Sequence, residues 1–90
     1  MNAILTGQFI SRVRTEKGMT QKELAQKVGV TDKAVSKWET GRGMPDISSL
    51  DALCNALDVS VNELLSGEVL PPEFYEKKAE ENMKTLIKEN

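Results

Sequence analysis

No histidine occurs in the 90 residues, only one cysteine does, and no long apolar run is present. Each absence removes a class of function. Serines and carboxylates abound, but with no histidine to serve as accompanying base they make no hydrolase. There is no cluster with metal-ligand spacing and no GxxxxGK[ST] phosphate loop, so neither an enzyme, a metal site nor a cofactor is expected. The lone Cys54 excludes an intramolecular disulfide framework and suits a reducing cytosol. Nothing approaches the ~18 apolar residues of a membrane span, and no basic stretch precedes an apolar one at the N-terminus. Repeats and low-complexity tracts are absent. Ninety residues allow one small domain, expected to be soluble and cytoplasmic.

The net charge of −2 argues against nucleic acid if taken alone. Its distribution argues the other way. Residues 1–45 carry eight Lys/Arg against four Asp/Glu, giving +4, and residues 46–90 carry four Lys against ten Asp/Glu, giving −6. A basic half facing a polyanion and an acidic half turned away fit this asymmetry; ordinary charged helix surfaces fit it as well.

The stretch Thr20–Thr40 organises the chain. Thr20 can cap a helix, with Glu23 three residues on completing a reciprocal capping box. Leu24, Ala25 and Val28 give that helix an apolar face, and Gly29 falls where it must stop. Thr31 supplies a second N-cap hydroxyl. Beyond it, Val35 and Trp38 share one side of a second helix, while Lys33, Ser36, Lys37 and Thr40 fall on the other. Ala25 is small where the two helices would cross. A steep helix pair whose second member shows short polar and cationic side chains outward describes a DNA-reading helix-turn-helix.

On either side the pattern stays helical. Thr6 can cap a first helix, with Leu5 stapling against Ile10, and Phe9, Ile10 and Val13 form its apolar face up to Gly18. Gly41-Arg42-Gly43 reads as a flexible loop. Asp46 is a suitable N-cap for a fourth helix, on which Ile47, Leu50, Leu53, Cys54 and Leu57 repeat at helical spacing. Cys54 on that face reads as a small buried hydrophobe. Ser60 and Glu63 form another capping box, before Leu64, Leu65 and a stop at Gly67. After a domain over residues 1–67, residues 68–90 read as a linker broken by Pro71-Pro72 and a last helix over Glu73–Asn90. There Tyr75, Ala79, Met83 and Leu86 make one apolar stripe along an otherwise charged helix. A helix of that length is marginal alone, so it must pack on its own domain, pair with another copy, or fray.

From Thr15 to Gly67 the sequence resembles the phage-repressor and Cro (Xre-type) helix-turn-helix family. The pieces GMTQKELA, VSKWETG and LDVSVNELL stand in that family's order and spacing. The resemblance implies an all-α, compact five-helix domain that binds specific double-stranded DNA. By residue matching it implies that Gln21 grips a phosphate with side chain and backbone N–H, at a helix end whose partial positive charge helps. It places base contacts at Thr31, Asp32, Lys33, Ser36 and Lys37. It also pairs Arg14 with Glu39 beneath the second helix of the motif, although two unrelated surface charges would look the same in sequence. Lys33 can donate to guanine, Asp32 can accept from cytosine, and the Thr31 methyl can pack on thymine. Asp32 equally suits the helix dipole. Lys22, Lys37, Thr40 and Arg42 can reach phosphates, and the Trp38 indole either donates to one or packs in the core. The family often has Gln or Arg where this chain has Asp32 and Lys33, so no operator sequence follows.

The expected function is a transcriptional regulator, a repressor acting as a homodimer on a palindromic site. The candidate dimer surfaces are Val61, Leu64 and Leu65 on the fifth helix, and the stripe Tyr75/Ala79/Met83/Leu86, which is preferred. The alternative is an antitoxin or partner-binding subunit, with a protein docking on the acidic half. In many relatives a further domain follows the core, which leaves room for one here.

Overall fold

The computed structural model describes residues 2–67. Among them are five helices and no strand: α1 (Ala3–Glu16), α2 (Gln21–Val28), α3 (Asp32–Glu39), α4 (Ile47–Leu57) and α5 (Val61–Ser66). The all-α, five-helix expectation is met. The C-terminal helix expected over Glu73–Asn90 lies outside the described residues.

Local chemistry sets most of the boundaries. Thr20 and Ser60 each accept the backbone N–H three residues on, and Glu23 and Glu63 reach back to the cap N–H, so both capping boxes are complete. Thr31 caps α3 by accepting the Ala34 N–H at 3.2 Å. Gly29 closes α2 with φ +83, a left-handed conformation that costs glycine nothing. Its N–H and that of Val30 both donate to the Ala25 carbonyl, at 2.8 and 3.0 Å. These two hydrogen bonds to one carbonyl turn the chain sharply enough for α3 to start two residues later. At the end of α3 the Arg42 N–H donates to the Lys37 carbonyl at 2.9 Å, so the expected loose loop begins as a bonded turn.

The core is a single cluster: Phe9, Ile10 and Val13 from α1, Leu24 and Ala25 from α2, and Val35 and Trp38 from α3 meet Leu53, Cys54 and Leu57 from α4 and Leu64 from α5. Gly7 matters as much as any of these. A Cβ there would overlap the Trp38 carbonyl oxygen and lie 3.1 Å from the Glu39 carbonyl carbon and oxygen. The missing side chain lets α1 pass directly against the last turn of α3.

Five expectations need correction. Thr6 does not cap α1; Asn2 does, its Oδ1 accepting the N–H groups of Ile4 and Leu5 at 2.9 and 3.2 Å. The helix therefore starts one turn earlier, Thr6 is buried inside it, and Leu5 sits within the helix where no staple can form. Asp46 precedes α4 but makes no side-chain cap bond. Ile47 is 89% exposed, because the first turn of α4 overhangs the core that Leu53 and Leu57 enter. Leu64 is completely buried against its own domain, so it cannot form a dimer surface; Val61 is exposed and Leu65 half-buried.

Candidate nucleic-acid interface

The face of α3 that turns away from the core is built by simple alternation around the helix. Val35 and Trp38 point inward and are buried, with Trp38 only 7% exposed, so its side chain goes mainly to packing. Thr31, Asp32, Lys33 and Lys37 are exposed, and Ser36 is half-buried between them. The Thr31 hydroxyl oxygen accepts the cap bond, which leaves its O–H and its methyl group for outside contacts. The Thr40 hydroxyl donates back to the Ser36 carbonyl at 2.8 Å and accepts the Arg42 Nε–H at 3.0 Å. Arg42 is thereby steadied just past the end of α3, a cation at the edge of the polar face.

The N-terminus of α2 meets the last residue of α3, where Gln21 bonds to Glu39. Its first two N–H groups, on Gln21 and Lys22, have no intramolecular partner among the described residues. Lys22 is exposed beside them. Such a helix end, carrying unpaired donors and the positive end of the helix dipole, favours an anion.

Beneath these elements lies a polar hub. Arg14 donates from Nε to Glu39 Oε2 at 2.6 Å and from Nη2 to Oε1 at 3.0 Å, a bidentate pair whose side chains are 15% and 6% exposed. Hydrogen bonding to Glu39, with its charge adding and burial opposing, raises the Arg14 pKa above its ordinary value. The remaining Arg14 nitrogen, Nη1, donates to the Met19 carbonyl at 2.7 Å. Gln21 Nε2 donates to Glu39 Oε1 at 2.9 Å. One carboxylate at the end of α3 thus binds α1 and the start of α2 together.

Sequence reasoning paired Arg14 with Glu39, as found, but kept Gln21 apart as a phosphate contact and missed its bond to the same carboxylate. The Met19 carbonyl is backbone and leaves no trace in residue identity. Gly7 was missed too, although a glycine inside an apolar helical pattern is itself a sign of close approach. Tyr75, Ala79, Met83 and Leu86 lie outside the described residues. Among those described, no group of His, Cys, Asp and Glu could hold a metal ion, and no helix is long and apolar enough to cross a membrane.

Comparison with known proteins places this geometry. The helix-turn-helix family model HTH_3 matches residues 10–64, more than half of the chain. The HTH-type transcriptional activator BcrR of Enterococcus faecalis is 43% identical over 61 residues, which span 68% of this chain and 30% of BcrR. The chain spans about half the length of two regulators of Bacillus subtilis that it also resembles. Among solved structures, the P22 c2 repressor in complex with a synthetic operator superposes with a TM-score of 0.68 at 35% identity, covering 70% of this chain and 96% of that one. SinR, a master regulator for biofilm formation solved in complex with DNA, gives 0.62 at 41% identity, covering 67% and 97%. With its two-helix motif, its five-helix frame and these relatives, the chain belongs to the Xre/Cro-like helix-turn-helix family of transcription regulators.

Proposed function

We propose that this chain binds specific double-stranded DNA inside the cell and acts as a repressor, occupying a palindromic operator as a homodimer. The carrying observation is the division of α3: Val35 and Trp38 are buried while Thr31, Asp32, Lys33 and Lys37 stay exposed beside the unpaired N–H groups of α2. In the groove, Thr31, Asp32, Lys33 and Ser36 read base edges, and Lys37, one turn along α3, reaches a phosphate. Gln21, Lys22, Thr40 and Arg42 hold phosphates. Residues 46–67 carry four acidic side chains and no Lys or Arg, so α4 and α5 face away from the duplex. The operator complex of the P22 c2 repressor and the DNA complex of SinR support the reading.

One motif reads only a few base pairs. Two copies with recognition helices about 34 Å apart double the site and impose two-fold symmetry. The seam is the stripe Tyr75/Ala79/Met83/Leu86, with Val61 and Leu65 as the second choice. Selection from a random duplex pool tests the reading: enriched inverted repeats with half-sites one helical turn apart are expected. A pool with no enriched sequence overturns specific binding. Sedimentation of a chain truncated after Gly67 tests the seam, with a folded monomer and much weaker operator binding expected. An unchanged dimer moves the seam to Val61 and Leu65, and a full-length monomer on operator DNA removes dimerisation altogether.

A further inference from the structure

The Arg14–Glu39–Gln21 hub joins two surfaces that contact DNA for different purposes. Gln21 opens α2, where the unpaired N–H groups are, and Glu39 closes α3, where the base-reading side chains are. We infer that Gln21 is a positioning residue for the recognition helix as well as a phosphate donor, acting through the buried Glu39 carboxylate. This inference rests on the DNA-binding reading above.

The chemistry of the junction is directional. A carboxylate can only accept, so the Gln21 amide must turn its nitrogen toward Glu39. That nitrogen has two hydrogens. One is given to Glu39 Oε1 at 2.9 Å, and the second remains for a phosphate oxygen. Arg14 occupies the same carboxylate at 2.6 and 3.0 Å, neutralising it, so an approaching phosphate does not meet a bare buried anion. Arg14 also donates to the Met19 carbonyl, one residue before the Thr20 cap. The start of α2 is therefore tied to the end of α3 twice, by Gln21 Nε2 directly and by Met19 through Arg14. Gly7 removes the slack on the other side, where α1 meets the carbonyls of Trp38 and Glu39. A phosphate gripped at α2 consequently fixes the register at which α3 meets the bases.

A residue that only held a phosphate would affect every duplex equally. The test is the affinity of Gln21→Ala for the selected operator and for a scrambled duplex of equal length, at several salt concentrations. The expected result is a loss of about ten-fold or more on both duplexes, with a further several-fold fall in the operator-to-scrambled ratio. A uniform loss that leaves the ratio unchanged overturns the inference and reduces Gln21 to a phosphate contact. If Gln21→Ala loses helicity, Gln21→Met keeps the length and lacks both donors, and is read in the same way. Failure of the underlying reading is separate and visible in the wild type, which would then show no preference between the two duplexes.

Discussion

Gly7 and Trp38 approach so closely that α1 and α3 are in backbone contact: a Cβ on Gly7 would overlap the Trp38 carbonyl oxygen. Because that oxygen belongs to the main chain, no side-chain rotation relieves the overlap. Gly7→Ala should therefore destabilise the domain by about 1–3 kcal/mol or more, although alanine improves helix propensity by about 1 kcal/mol. Urea unfolding checks this. A variant as stable as the parent would mean that α1 does not pass α3 at this distance.

The helix-turn-helix was legible because its signals are local. Thr20 with Glu23, Gly29, and Thr31 each act on backbone groups within a few residues, so residue identity alone predicts the bond. Expectations failed where distant packing decides. Thr6 and Asn2 are both acceptable caps, and only the burial of Thr6 against the rest of the core selects Asn2. Ile47 keeps the helical period of its neighbours but lies beyond the edge of the core. Leu64 looked like a free apolar residue on a short helix until α1 and α4 covered it. At the interface, the exposed residues of α3 followed from period alone, whereas the bond between Gln21 and Glu39 joins residues 18 apart in sequence.

The two lysines of α3 should differ in effect. Lys33 stands in the first turn of α3, and Lys37 stands one turn later; both are exposed. Lys33→Ala is expected to relax preference at one base position, with about 1–3 kcal/mol of discrimination lost. Lys37→Ala is expected to weaken binding to all sequences and to make the salt dependence shallower by about one unit of slope. Quantitative binding to single-base variants of the operator separates them. Equal weakening on every variant would make Lys33 a phosphate contact instead.

Thr6 is 1% exposed, and its Oγ1 is buried without a hydrogen-bond partner. A buried polar atom left unpaired costs about 1–3 kcal/mol, and valine has nearly the same shape without the hydroxyl. Thr6→Val should raise stability by about 1 kcal/mol, seen as a higher denaturant midpoint at unchanged m-value. A fall in the midpoint would show that the hydroxyl is bonded after all.

Cys54 gives the domain an alkaline limit that its charged surface would not suggest. The side chain is buried among the core residues, and burial raises its thiol pKa, with the charges of Asp51 and Glu63 adding to the shift. The neutral thiol is thus the form favoured in the folded state. Below the unfolded-state value of about 8.5 both states keep the proton, so this group makes stability independent of pH there. Above it the unfolded chain releases the proton first, binds fewer protons than the native state, and is stabilised relative to it. Stability should therefore decline as the pH rises beyond about 8.5. Cys54→Ala leaves a small cavity and should be less stable at neutral pH, yet its stability should be flatter between about pH 8 and 9.5, on either side of the free thiol value. Urea titrations of both proteins across that interval decide the matter. Parallel alkaline slopes would show that Cys54 ionises no less readily in the folded protein than in the unfolded chain.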